Sequence, residues 1–155
     1  MSFNVDKFLS AKFKRIEKSI DVPDLKDFFE EGEKPVWIVR GLTGIELGKM
    51  AEAVKANKTK ADIVEGLMSG ETRKLIDSMK SMIGADSNAP DDIAKRLSQI
   101  TLGSVNPVCN QQLAVRLCEF YPIEFYQITN EITLLTGRGY ELGKHKHSTE
   151  TIESN

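Results

Sequence analysis

The residues able to do chemistry in this chain of 155 residues are few and scattered. Its two histidines, His145 and His147, stand in Lys144-His-Lys-His147 near the C-terminus. Two imidazoles flanked by lysines make a poor metal site, because a stable site needs three or four converging ligands. A solvated tail is the simpler reading. With no histidine among the periodic segments, a serine or cysteine nucleophile has no evident base. Cys109 and Cys118 are nine residues apart in what reads as one helix. There they would lie on opposite faces, roughly 13 Å apart along the axis, too far for a disulfide. They read as buried free thiols. Asp91-Asp92 suit the positive end of a helix dipole, and Glu30-Glu31 fall in a polar turn. Gly41-Leu-Thr-Gly44 sits between strand and helix like a phosphate-cradling turn. No lysine follows the second glycine at P-loop spacing, and no dinucleotide fingerprint is present. Its glycines therefore read as making a tight turn. No catalytic residue, cofactor or metal is expected, and no enzyme activity.

What must be positioned, then, is apolar material. Phe28, Phe29, Trp37, Phe120, Tyr121, Phe125 and Tyr126 are many for such short elements. In Phe120-Tyr-Pro-Ile-Glu-Phe-Tyr126 the large side chains cover more than one helical face. Core packing competes here with a partner surface, since aromatics are enriched at interface cores. The candidate partner-binding residues are Trp37, Arg40, Phe120, Tyr121, Phe125 and Tyr126. Met50, Met68, Met79 and Met82 either fill the core or line an adaptable groove.

Hydrophobic residues make up 40% of the chain and charged residues 28%, an ordinary globular composition. A formal net charge of −2 weakens a nucleic-acid reading. A small helical DNA-binding or regulatory protein stays the alternative, with Lys49, Lys55, Lys58 and Lys60 as its basic patch. No apolar run is long enough for a membrane helix. The opening Met1-Ser-Phe-Asn-Val-Asp-Lys7 lacks a basic segment followed by an apolar core, so a cytosolic location is expected.

The elements read as follows. Asn4 is placed to cap a short helix carrying Val5, Phe8 and Leu9. Phe13, Ile16 and Ile20 fit a helical spacing, yet Ile20 and Val22 also alternate like a strand. Val36-Trp-Ile-Val-Arg40 is the most strand-like run. Thr43-Gly-Ile-Glu46 fits a capping box, followed by the stripe Leu47, Met50, Ala51, Val54. Asn57-Lys-Thr59 is expected to divide that helix from the next, and Ser69-Gly70 to end the second. Leu75, Ile76, Met79, Met82 and Ile83 mark a third, closed by Gly84. Pro90 opens a helix with Ile93, Leu97 and Ile100, and Asn106-Pro107 opens another. Pro122 starts the last, and Gly137 closes it. The expected fold is mainly α: one domain over residues 1–137, of five to six short helices, with a possible small N-terminal β-ribbon. Residues 138–155 read as a flexible polar tail. Strand is expected only before Leu42, Trp37 is expected to be buried, and the Arg40 guanidinium to be engaged.

Trp37-Ile-Val-Arg-Gly-Leu-Thr-Gly-Ile-Glu-Leu47, with the later Asn106-Pro107 and Tyr121-Pro122, resembles the tail assembly chaperones of long-tailed bacteriophages and prophages. In that family a strand ending in Val-Arg-Gly-Leu-Thr-Gly leads into a helix with Glu and Leu at its start, matching Val39 to Leu47. The similarity extends over residues 20 to 137 at the level of pattern. It implies a protein of the host cytoplasm, absent from the mature virion. It also implies binding to the tape measure protein, a long helical polypeptide kept soluble while the tail tube grows around it. The tail tube protein is a further implied partner, and a homo-oligomer fits the same picture.

Overall fold

A computed structural model of the chain describes residues 2–68, 70–83, 89–138 and 140–143. Helix dominates, but the fold is mixed α/β. The chain runs α1 (Val5–Ser10), β1 (Phe13–Arg15), β2 (Glu17–Asp21), a 3-10 helix (Pro23–Phe28) and β3 (Val36–Arg40). Then follow α2 (Gly44–Leu67), α3 (Gly70–Ile83), α4 (Ala89–Gly103), β4 (Ser104–Asn106), α5 (Gln111–Phe120), α6 (Pro122–Leu135) and β5 (Tyr140–Leu142).

Several elements start and stop where side-chain chemistry predicts. The Asn4 side chain accepts the Lys7 backbone N–H at 2.9 Å. Both halves of the Thr43–Glu46 capping box form. Gly137 takes a φ of 86° just past the end of α6, a left-handed conformation that glycine adopts without steric cost. Ile20 belongs to a strand: β2 pairs antiparallel with β3, Ile20 opposite Trp37. β3 is the middle of a three-stranded sheet with β2 and β4 at its edges.

Three expectations are corrected. Strand is not confined to the segment before Leu42, because β4 pairs with β3 and β5 with β1. Three-residue strands carry no period of their own; they exist through their partners. Residues 140–142, read as part of a tail, are thus paired, while 144–155 lie outside the described residues. α2 is one helix, unbroken at Asn57-Lys-Thr59. Each of those residues costs a helix only tenths of a kcal/mol, and without Gly or Pro nothing stops propagation. Asn106 lies in β4, and Asn110 caps α5 instead, accepting the Leu113 N–H at 2.8 Å. Cys109 therefore precedes the helix that holds Cys118, and both are buried free thiols. Gly84 and the loop to Asn88 lie outside the described residues.

The core gathers on α4 and α6. Ile93, Leu97 and Ile100 of α4 and Phe125, Tyr126, Ile128 and Ile132 of α6 are fully buried. Burying each such side chain contributes about 1.5–3 kcal/mol. α4 packs on α2, α5 and α6, and α6 on β3. Met50 of α2 and Met68, just past its end, close the core.

Gly41, expected to make a turn, serves close packing. A Cβ there would stand under 3.0 Å from backbone atoms of Leu135 and Thr136 at the end of α6. Gly44, by contrast, faces open space. Overpacking against backbone costs typically about 1–3 kcal/mol, so Gly41→Ala is expected to destabilise by that amount in urea unfolding. Gly44→Ala should be neutral or stabilising by up to about 1 kcal/mol, since alanine suits a helix better. Equal effects of the two substitutions would refute this account of Gly41.

Candidate functional site

The junction between β3 and α2 is built around Arg40. Its guanidinium makes a two-pronged ion pair with Glu46, at 2.7 and 2.9 Å, and donates to the Gly41 carbonyl at 3.1 Å. Glu46 also accepts the Thr43 N–H at 2.8 Å, and Thr43 Oγ1 accepts the Glu46 N–H at 3.1 Å. The Arg40 hydrogen bonds, helped by the Thr43 N–H and opposed by burial, lower the Glu46 carboxyl from its ordinary 4.5 to about 2. Arg40 is thus engaged as expected, and its donors hold the strand to the helix start. As a candidate partner residue it is spent on the fold.

Trp37 is 3% exposed, and its Nε1–H donates to Ser104 Oγ at 2.9 Å, tying β3 to β4. Its buried ring forms part of the floor of an open apolar groove of about 1100 Å³. One wall is the loop from Val22 to Pro35, whose ends are joined by a Val22 N–H to Pro35 carbonyl hydrogen bond of 2.9 Å. Gly32, with a φ of 87°, lets that loop reverse, as compact loops with adjacent ends require. The opposite wall is α5, whose Ala114, Leu117 and Cys118 are buried.

Aromatic rings stand exposed on both walls. Phe28 is 73% exposed and meets half-buried Tyr121 edge-on, ring centroids 6.0 Å apart. Phe120 is 56% exposed, and the Arg116 guanidinium lies 4.7 Å from its ring centroid. Glu30 and Glu33 contribute carboxylates to the groove. The groove therefore offers an apolar bed, an acidic loop and one cation.

Of the six candidate partner residues, the structure brings Trp37, Phe120 and Tyr121 together here. Phe125 and Tyr126 do not belong with them. Both are 0% exposed, packed on each other at 5.8 Å, and cannot contact a partner in the folded chain. Leu25, Phe29, Leu113 and Arg116 line the groove without having been singled out as site residues. The signal for part of this set was the Phe28-Phe29 doublet beside an acidic turn. Met50 and Met68 lie in the core rather than the groove, and the side chains of Met79 and Met82 lie outside the described residues.

Other candidates fare differently. Burial pushes the Cys109 thiol up to about 12 and raises Cys118 too, which makes both poor nucleophiles at neutral pH. His145 and His147 lie outside the described residues. Lys49, Lys55 and Lys60 are exposed on α2. Eleven residues are close to three turns, so Lys49 and Lys60 share a face, but Lys55 lies about 120° away with Glu52 between. The side chain of Lys58 lies outside the described residues. Among the described residues, no helix is long and apolar enough to cross a membrane.

Two outcomes test this junction. Glu46 has a lowered pKa in the folded chain, so its stabilisation is present above its ordinary value of 4.5 and lost as pH falls toward about 2. The difference in urea midpoint between the unaltered chain and Glu46→Gln should therefore be largest above pH 5 and shrink steadily on acidification. A difference independent of pH would refute the ion pair's role. Trp37→Ala should cost about 3–5 kcal/mol, as removal of a core indole does; a loss under about 1 kcal/mol would show that the ring is dispensable to the fold.

Comparison of the chain with protein-family models, with curated proteins and with solved structures finds no match.

Proposed function

We propose that this protein is a non-enzymatic chaperone of the phage tail assembly type. It holds an amphipathic helical segment of a long client, the tape measure protein, until that client is packed into the growing tail. The single observation that carries the reading is the groove between the Val22–Pro35 loop and α5. There Phe28 and Phe120 remain 73% and 56% exposed beside a preformed apolar floor. Large exposed apolar surface with a polar rim is the usual mark of a docking site, and a groove of this kind suits an amphipathic helix. The resemblance of Trp37–Leu47 to tail assembly chaperones adds the identity of the client. The tail tube protein is a second partner on this reading, and the site of action is the host cytoplasm.

The chemistry of the groove agrees with holding rather than converting. Its walls present aromatic rings, leucines, amides, carboxylates and the Arg116 guanidinium, and neither cysteine thiol lies among them. The alternative, a small DNA-binding or regulatory protein, draws less support, because Lys49 and Lys55 are separated around α2 by Glu52.

Co-expression tests the proposal. The long helical product of the neighbouring gene is expected to be insoluble alone and soluble with this chain. Phe28→Ser with Phe120→Ser should abolish that rescue while leaving helix content unchanged and stability within about 0.5 kcal/mol, both residues being exposed. A folded double variant that still rescues the client would place binding elsewhere. A client equally soluble without this chain would remove the chaperone reading, and salt-dependent binding to random DNA would favour the alternative.

A further inference from the structure

The segment before β2 forms an arm outside the core. α1 has no buried residue, and all three residues of β1 are exposed. Along it Phe3, Phe8 and Phe13 touch in succession, one pair tilted and the other edge-on, centroids 5.4 and 5.5 Å apart. Yet they stay 72%, 51% and 47% exposed, with Leu9 at 76%. A helix of six residues is far too short to persist alone, and its apolar side chains gain nothing from water. Such a surface calls for a cover.

The same chain carries a surface that fits it. Within one copy the arm does not reach the groove, since no lining residue precedes Leu25. The arm bears Lys7, Lys12, Lys14 and Arg15 against a single acid, Asp6. The loop that forms one groove wall bears Asp24, Asp27, Glu30, Glu31 and Glu33 against two lysines, Lys26 and Lys34. A basic aromatic arm thus has an acidic aromatic-lined groove as its complement, in one-to-one number. Opposite charge of this kind selects partner and orientation.

We infer that, without a client, the arm of one copy docks in the Phe28–Phe120 groove of a second copy of this chain. The contact joins two different surfaces, so it is head-to-tail and either closes into a ring or extends as a chain of copies. The inference rests on the proposed reading only in taking the groove as a docking surface. It adds a regulation: a client segment must displace the arm, so apolar surface is covered both before and during client binding.

Sedimentation of the chain tests this. The unaltered protein should form species larger than a monomer that grow with concentration. An arm variant, Phe8→Asp with Leu9→Asp, and a groove variant, Phe28→Asp with Phe120→Asp, should each be folded by circular dichroism and monomeric. Mixed in equal amounts, the two should give a heterodimer and nothing larger, because only one intact arm–groove contact can form per pair. Three results would overturn the inference: an unaltered chain that stays monomeric, an arm variant that still assembles, or a mixture that stays monomeric. A monomeric chain that rescues the client would leave the chaperone reading standing. An assembling chain that fails to rescue it would do the reverse.

Discussion

The fold depends on a charge buried between α4 and α6. Arg96 is 6% exposed and Asp92 8%. Arg96 Nε donates to Asp92 at 3.0 Å, and Nη1 donates to Thr129 Oγ1 at 2.6 Å and to Asn130 Oδ1 at 2.8 Å. The Tyr126 hydroxyl donates to the same Asp92 oxygen at 3.0 Å, while the Arg96 guanidinium lies 4.2 Å from the Tyr126 ring centroid. Burial, and the carboxylate beside it, raise the Tyr126 phenol well above its ordinary value, so it stays a donor. Taking two ions out of water costs several kcal/mol each, and the cost is recovered only when every polar atom finds a partner. Here that condition holds: among the described residues no buried side-chain nitrogen or oxygen lacks one. The consequence is specificity. Sliding α4 along α6 would leave an uncompensated charge in the core, so only one register is tolerable.

That fixed register is what gives the groove a shape. α5 lies on α4 and α6, and β3 lies on α6, so the groove's floor at Trp37 and its wall on α5 are both referred to the same helix pair. A rigid bed lowers the entropy cost of docking, which otherwise takes several kcal/mol from any association. Burial of three or four apolar side chains in such a bed contributes roughly 5–10 kcal/mol before those costs. The remainder corresponds to modest affinity. On the proposed reading, in which a client is held and then released, that balance is what the function needs.

How much of this was legible in the sequence follows from how local each signal is. The Thr43–Glu46 box, the Asn4 cap and the stop at Gly137 involve groups within a few residues, and the structure forms them. Arg40 could be read as engaged because its partner Glu46 is six residues away. Arg96 could not, since Thr129 and Asn130 are more than thirty residues distant and nothing in an Asp-x-x-x-Arg spacing separates a surface pair from a buried one. β4 and β5 escaped for the same reason. Trp37 was legible as buried, but its Ser104 partner and its place under the groove needed the fold.

The aromatic run Phe120–Tyr126 shows most plainly where sequence stops. Read as one segment, it covers more than one helical face, which leaves core packing and a partner surface in competition for its rings. The backbone bends within it: Tyr121 is both the end of α5, donating its N–H to the Leu117 carbonyl, and the entry to α6, accepting the Phe125 N–H. Pro122 occupies the first turn of α6, where its missing N–H costs nothing. The bend puts Phe120 on the outer side of α5 and sends Phe125 and Tyr126 into the core. One contiguous cluster thereby divides into an exposed ring and two packing rings. Phe120 is thus free of the constraints that hold Tyr126 to the Asp92–Arg96 pair and Phe125 against the Tyr126 ring, so on the proposed reading the docking surface and the fold answer to different residues.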